Sequence, residues 1–224
     1  MGARRRGNMS RFKAVVFDLD GTLLDTLEDL ADSMNHVLET KGFPIHETDK
    51  YKHFVGHGLR NLAAQALPIE HRGAETDSAL NDLLKEYETR WADKTVPYNG
   101  IPELLDQLTE RGIKFAILSN KEHSLTLKIT DKFLSRWKFD PVFGERVGVP
   151  RKPDPTSALE IIKILKLQGD EIIYLGDSGS DMQTANNSGM YAVGALWGFR
   201  EKEELIKSGA KCIISAPIEL MKII

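Results

Sequence analysis

Three short apolar segments, each ending abruptly in polar or glycine residues, constrain the fold of this 224-residue chain most strongly. They span residues 13–17, 114–118 and 171–175. Runs of this length, rich in β-branched residues and bounded by turn formers, are typical of buried strands. Helical patterns lie before and after the second and the third of these segments. The alternation predicts a mostly parallel sheet covered by helices on both faces.

The segments between these runs carry their own helix signals. Residues 101–111 repeat apolar side chains on one helical face, with Pro102 in the first turn and Gly112 after the last. Asp154 and Pro155 open a further helix, and residues 201–208 form a charged one. Residues 191–196 and 211–214 are predicted as additional strands. The expected fold class is therefore α/β, with a Rossmann-like parallel sheet as its core.

Residues 25–97 interrupt this rhythm with three apolar stripes at helical spacing, over 27–38, 59–67 and 79–91, and no convincing strand. We therefore predict that 25–97 is an inserted all-helical cap domain and that 11–24 and 98–224 form the α/β core. Residues 1–10 are predicted to be a disordered tail, native or left over from cloning, with Met9 as a candidate start.

Composition narrows the classes of partner. The 30 Lys and Arg against 33 Asp and Glu residues give a net charge of −3, which disfavours nucleic acid as a ligand. Uncharged stretches are too short for a membrane span. The single cysteine, Cys212, forms no internal disulfide and fits a reducing compartment, so we expect a cytoplasmic protein. The sequence leaves monomer and homodimer equally open.

Two carboxylates stand at the end of the first predicted strand. Asp18 and Asp20 are two residues apart, where ligands bind in open α/β sheets. A calcium loop is excluded, because Thr22 and Leu23 occupy the places where that loop needs Asp or Asn and then Gly. Because the two acids repel each other, a cation or a basic group is expected beside them.

The other strand ends add complementary groups. Ser119 and Asn120 follow the second strand and are predicted to open a helix whose first amides suit an anion such as phosphate. Lys152 lies in a segment stiffened by two prolines. Asp177 and Asp181 follow the third strand and add oxygen ligands suited to Mg²⁺.

Taken in order, these four elements resemble the motifs of the haloacid dehalogenase superfamily, and within it the phosphoglycolate phosphatase-like branch. The similarity extends over residues 11–224, and the helical insert resembles the cap of that family. The resemblance implies a magnesium-dependent phosphatase that hydrolyses small phosphate monoesters through an aspartyl-phosphate. It also implies a small phosphorylated metabolite as the substrate.

The resemblance assigns roles by position. Asp18 would be the nucleophile and Asp20 the general acid and base. The phosphoryl oxygens would be held by four residues: Leu19, Ser119, Asn120 and Lys152. Mg²⁺ would bind the side chains of Asp18 and Asp177 and the backbone carbonyl of Asp20, with Asp181 as a supporting residue. In the cap, a glycine-containing loop that opens a helix offers Gly56, His57 and Arg60 as substrate contacts, with Arg60 able to reach a second anionic group. The alternative is a helix start with surface residues.

Four alternatives are weighed against this function. A sugar-phosphate phosphomutase is disfavoured by Thr22, since mutase relatives often carry an aliphatic residue there. Inorganic pyrophosphate is an alternative substrate for the same machinery. A non-catalytic binding protein is disfavoured because every motif acid is present. Carbon–halogen cleavage is disfavoured because the dehalogenases of the superfamily lack the second acid, here Asp20.

Overall fold

The computed structural model describes residues 11–224, in which a six-stranded parallel sheet carries helices on both faces and a helical cap above one end. The predicted tail, 1–10, lies outside the described residues. The strands are β1 (Ala14–Phe17), β2 (Leu24–Asp25), β3 (Val96–Pro97), β4 (Lys114–Glu122), β5 (Phe139–Glu145), β6 (Ile172–Gly176), β7 (Tyr191–Ala195) and β8 (Cys212–Ile214). The sheet order is β5-β4-β1-β6-β7-β8, which confirms the predicted fold class.

Within the described residues 11–224, eight α-helices connect these strands. They are α1 (Leu27–Thr40), α2 (Leu59–Ala66), α3 (Thr76–Arg90), α4 (Ile101–Glu110), α5 (His123–Leu134), α6 (Thr156–Leu165), α7 (Gly179–Asn187) and α8 (Lys202–Lys207). Short 3₁₀ turns lie at Thr48–His53, Ile69–His71, Gly169–Glu171 and Pro217–Lys222. Within residues 11–224, none of the helices combines the length and the apolar character needed to cross a bilayer.

The apolar runs supply both faces of the sheet, because successive strand residues point to opposite sides. In β1, Val15 and Phe17 belong to a core cluster that includes α4 and α5 residues. Ala14 and Val16 belong to a second cluster, with residues of α6 and α7. A strand buried on both faces needs no polar alternation, which explains the continuous apolar reading of the sequence.

Helices α1, α2 and α3 form the cap around a separate apolar cluster that includes Met34, Leu62 and Leu83. The chain leaves the core through β2 and returns through β3, and the two strands pair antiparallel. Both connections between cap and core therefore run side by side.

Two parts of the sheet differ from the sequence-based expectation. Strand β5 was not predicted, because Asp140, Pro141 and Gly144 interrupt its apolar pattern. Proline is tolerated there because β5 is an edge strand. Strand β4 continues to Glu122, so α5 begins at His123 rather than at the predicted Ser119–Asn120.

A buried carboxylate fixes the return of the chain from the cap. Asp29 of α1 is 1% exposed and accepts hydrogen bonds from the amides of Lys94 and Thr95 and from Thr95 Oγ1, at 2.7–3.2 Å. Its two oxygens satisfy donors that otherwise stay buried without a partner.

We predict that Asp29→Asn lowers the free energy of unfolding by about 1–3 kcal/mol, because its amide group would face buried donors. Urea denaturation followed by circular dichroism measures the change. Asp131→Asn, an exposed site on α5, is the control and should stay within about 0.5 kcal/mol of the parent. Equal stability of both variants would contradict a structural role for the Asp29 carboxylate.

Candidate active site

Three neighbouring strands bring the predicted site residues to one edge of the sheet. In the order β4-β1-β6 all pairs are parallel, so their carboxyl ends lie together. Asp18 follows β1, Ser119 lies in the last part of β4, and Asp177 follows β6. The register of β4 against β5 shifts between Leu118 and Glu122, the part of β4 that carries Ser119. Such irregularities are frequent beside active sites.

Lys152 lies between two of the predicted acids. Its Nζ is 2.9 Å from Asp18 Oδ1 and 2.7 Å from Asp181 Oδ1, and it also donates to the carbonyl of Leu118 at 3.0 Å. Burial opposes its charge, but the two carboxylates raise the pKa of Lys152 well above its usual value. The residue is therefore a fixed cation beside Asp18.

Asp177 is held by parts of the chain far apart in sequence. Its Oδ1 accepts from Thr22 Oγ1 at 3.0 Å, and its Oδ2 accepts from the amide of Phe199 at 2.8 Å. Gly21, at φ +82°, approaches so closely that an added Cβ would lie 2.4 Å from Asp177 Oδ2. At Gly198 an added Cβ would lie 2.3 Å from Asp177 Cβ. Larger residues at these two glycines would displace the carboxylate.

The acids form a cluster suited to a divalent cation. Carboxylate oxygens of Asp18, Asp177 and Asp181 lie within 4.8 Å of one another, and all three residues are buried. Burial and the neighbouring Asp181 carboxylate raise the pKa of Asp177 to about 7, and burial also raises the pKa of Asp18. Lys152 contacts two of these three buried carboxylates, those of Asp18 and Asp181. Hard oxygen donors are the ligands that divalent cations such as Mg²⁺ prefer.

The two ends of this cluster differ in what already occupies their oxygens. Asp181 Oδ1 accepts from Lys152, and its Oδ2 accepts from Ser178 Oγ at 2.6 Å and from the Ser178 amide at 3.0 Å. Asp18 Oδ1 accepts from Lys152 and from the amide of Leu19 at 2.7 Å, and Asp18 also lines a cavity between the cap and the core. Asp181 is thus engaged on both oxygens, as expected of a supporting residue.

Asp20 contacts a residue that the sequence reasoning missed. Its Oδ1 accepts from Thr26 Oγ1 at 2.7 Å, and its Oδ2 is 3.0 Å from Nζ of Lys121. Lys121 also donates to the hydroxyl of Tyr87, on cap helix α3, at 3.2 Å. The sequence predicted that α5 starts at Ser119, which would place Lys121 in a helix. Because β4 continues to Glu122, Lys121 instead lies at the carboxyl end of this strand.

A cavity between cap and core lies over these residues. Its core side is formed by Asp18, Asp20, Ser119, Asn120 and Lys121, and its cap side by Leu30, Val55, Gly56, Gly58, Leu59 and Leu62. Of the predicted cap contacts, only Gly56 lines it. His57 is exposed, and Arg60 is 57% exposed and pairs with Asp77 at 2.9 Å. That His57 and Arg60 contact a substrate stays a prediction.

The predicted phosphate-binding groups are arranged differently from a helix start. Glu122 caps α5 by accepting from the amides of Ser124 and Leu125, both at 2.9 Å, so its own carboxylate occupies that anion-binding position. Ser119 and Asn120 lie before this turn and line the cavity. The Asn120 side chain bonds the Lys152 backbone, accepting from its amide at 3.0 Å.

Comparisons with known proteins identify the family of this chain. A family model described as haloacid dehalogenase-like hydrolase matches residues 15–195. The chain belongs to this family. Among curated relatives, the phosphoglycolate phosphatase of Chromobacterium violaceum is 29% identical over 95% of this chain and 96% of its own length. The phosphoglycolate phosphatase of Mesorhizobium japonicum is 31% identical over 84% of both chains.

A solved structure extends the similarity to the whole fold of this haloacid dehalogenase-like hydrolase. A crystal structure from Lactobacillus delbrueckii subsp. bulgaricus, assigned provisionally as a phosphoglycolate phosphatase, superposes with a TM-score of 0.88 at 30% identity. It covers 95% of this chain and 98% of its own. These similarities confirm the superfamily and the branch that the motifs indicated.

Core side chains of this hydrolase also fasten the cap loop 52–58. Arg200 donates to the carbonyls of Lys52 and of Val55, the latter at 2.8 Å. Asn120 Nδ2 donates to the carbonyl of Gly56 at 3.0 Å, and Arg151 donates to that of His57 at 3.1 Å. Because the acceptors are backbone carbonyls, these contacts position the loop without depending on its side chains.

We predict that Mg²⁺ stabilises the protein through the acidic cluster. At about 100 times its Kd the cation should add about 2.7 kcal/mol to the free energy of unfolding. Thermal unfolding with Mg²⁺ and with EDTA measures the effect, which Asp177→Asn should largely remove. Asp93→Asn, at an exposed turn, should keep it. An unchanged Mg²⁺ effect in Asp177→Asn would exclude Asp177 as a ligand.

We predict that Arg200→Met loosens the cap loop. Two carbonyls, of Lys52 and Val55, lose their donor, so amide hydrogens in 52–58 should exchange at least about tenfold faster, as expected for loss of about 1.4 kcal/mol of local stability. Hydrogen exchange followed by mass spectrometry provides the readout. The control is Arg136→Met, a 68% exposed arginine on the core. Equal protection in both variants would show that Arg200 does not hold the loop.

Proposed function

We propose that this phosphatase hydrolyses small phosphate monoesters with Mg²⁺ and through an aspartyl-phosphate on Asp18. The observation that carries the proposal is the meeting of Asp18, Asp20 and Ser119 in one cavity, with Lys152 bonded to Asp18 beneath them. Nucleophile, proton donor and phosphate-binding groups are then within reach of one ester.

In the first step, a carboxylate oxygen of Asp18 attacks phosphorus. The new bond joins Asp18 to the phosphoryl group, and the bond from phosphorus to the ester oxygen breaks. Asp20 gives its proton to the departing oxygen, so that an alcohol leaves rather than an alkoxide. Thr26 donates a hydrogen bond to Asp20 Oδ1, and Lys121 forms an ion pair with Asp20 Oδ2. Each oxygen of the Asp20 carboxyl group therefore has its own partner.

In the second step, water attacks the phosphorus of the aspartyl-phosphate. Asp20, now ionised, takes a proton from that water, and the bond between Asp18 and phosphorus breaks to release inorganic phosphate. The same carboxyl group thus serves as acid and then as base, and the enzyme returns to its starting state.

The phosphoryl oxygens carry the charge that must be stabilised in both steps. Lys152 is a buried cation with a fixed position, and Ser119 is a hydroxyl donor on the cavity wall. The backbone amides of Leu19 and Asn120 are further donors in this proposal. Bound to Asp18, Asp177 and the Asp20 carbonyl, Mg²⁺ would neutralise charge on the phosphoryl group.

The substrate class follows from the relatives. The curated proteins named phosphoglycolate phosphatase align with more than four fifths of this chain. We propose 2-phosphoglycolate or a similarly small phosphorylated metabolite as the substrate. We propose the cytoplasm as the compartment in which the enzyme acts.

We predict that Asp18→Asn abolishes turnover, because an amide does not attack phosphorus, and that Asp20→Asn lowers kcat by about 10²–10⁴ through loss of proton transfer. Release of inorganic phosphate from a panel of phosphorylated metabolites, with Mg²⁺ and with EDTA, measures both. The panel includes hexose phosphates and pyrophosphate, whose products identify mutase or pyrophosphatase activity.

Retained circular dichroism and thermal unfolding separate loss of chemistry from loss of fold in these variants. Asp131→Asn serves as the matched surface control and should turn over like the parent. Appreciable hydrolysis by folded Asp18→Asn protein would rule out Asp18 as the nucleophile. Full activity in EDTA would rule out the metal.

A further inference from the structure

The walls of the cavity differ sharply in chemical character. Four cap side chains on it are aliphatic, and the two glycines add only backbone: Leu30, Val55, Leu59, Leu62, Gly56 and Gly58. On the core wall stand two carboxylates, a hydroxyl, an amide and the ammonium of Lys121. Among the residues that line the cavity, Lys121 is the single cation. It is the cation that an anionic group would meet on the wall of the cavity, whereas Lys152 lies bonded to Asp18.

Lys121 is held where a ligand would meet it. Its side chain is 2% exposed, with Nζ 3.0 Å from Asp20 Oδ2 and 3.2 Å from the Tyr87 hydroxyl. An ammonium has three N–H donors, and these two partners among the described residues use two of them. The aliphatic cap wall lowers the local dielectric, which strengthens any ion pair formed there.

The position of Lys121 relative to the reaction selects one part of the substrate. Phosphorus must face Asp18, and the ester oxygen must face Asp20, which protonates it. Lys121 contacts Asp20 and Tyr87 of the cap, whereas Lys152 contacts Asp18. A group attached next to the ester oxygen therefore lies toward Lys121.

We infer that Lys121 is a specificity-determining residue that binds a second anionic group, a carboxylate, on a short leaving alcohol. The inference rests on the proposed phosphatase function and assigns the selection of substrate to the core. Arg60, the arginine that the sequence favoured for this task, pairs instead with Asp77 outside the cavity.

The experiment compares two substrates that differ only in charge: 2-phosphoglycolate and 2-phosphoglycolamide, in which a carboxamide replaces the carboxylate. The ratio of their kcat/KM values is measured for the parent, Lys121→Met and Lys121→Arg. We expect the parent to prefer the acid and Lys121→Met to lose about tenfold or more of that preference, as for a hydrogen bond to a charged group. Lys121→Arg, which keeps the charge, should retain the preference.

Two controls address other routes to the same result. Lys163→Met removes an exposed lysine on α6 and should leave the ratio unchanged. Arg60→Ala tests the rival residue in the cap. If Arg60→Ala lowers the ratio and Lys121→Met does not, the assignment to Lys121 is wrong. If Lys121→Met slows both substrates equally, Lys121 acts only through Asp20, and the inference is overturned.

A binding measurement separates this inference from the proposed function. Isothermal titration calorimetry in the presence of Mg²⁺ measures the affinities of both compounds for two proteins. These are the Asp18→Asn variant and the double variant Asp18→Asn, Lys121→Met. A parent that hydrolyses no phosphate ester refutes the proposed function, yet a charge-selective affinity that requires Lys121 still supports the inference. Equal affinities for the acid and the amide in the presence of Lys121 overturn the inference. A preference for the acid that persists in a folded Lys121→Met variant also overturns it.

Discussion

The close packing of buried carboxylates around one lysine is the constraint on which the rest of this structure depends. Asp18, Asp177 and Asp181 lie within 4.8 Å of one another, and Lys152 bonds two of them. Such a cluster is costly in the interior unless charges and donors compensate it. The protein meets the cost with Lys152, with backbone amides and hydroxyls from distant segments, and with a geometry that suits a divalent cation. In the proposed reaction, the substrate chemistry uses the same preorganised charges.

That constraint explains why particular backbone positions are glycine. Gly21 and Gly198 touch Asp177 from two sides, and the first also needs a positive φ. A side chain at either would displace the carboxylate. The parallel sheet provides the remaining alignment, since only adjacent parallel strands bring the ends of β1, β4 and β6 to one edge. Fold and site are therefore specified by the same short segments.

The sequence predicted the buried parts of the fold well, because strands covered on both faces leave an unmistakable apolar run ending at the catalytic edge. It failed at β5, where an edge strand accepts Pro141 and partial exposure. It also failed at Lys121, which depends on how far β4 continues past Ser119, and local propensity does not define such a boundary. The pairing of Arg60 with Asp77 is a contact between α2 and α3 that sequence spacing alone could not reveal.

Cap and core divide their tasks in a way that follows from these contacts. The cap loop is attached to the core through its carbonyls, by Arg200, Asn120 and Arg151, so closure depends little on which side chains the loop carries. The side chains that the cap as a whole places on the cavity are aliphatic, and such a wall excludes water. In our proposal, the charge that selects the substrate therefore comes from the core, from Lys121 beside Asp20. Because Lys121 also bonds Tyr87 of the cap, this hydrogen bond links the cap to the residue that we propose selects the substrate.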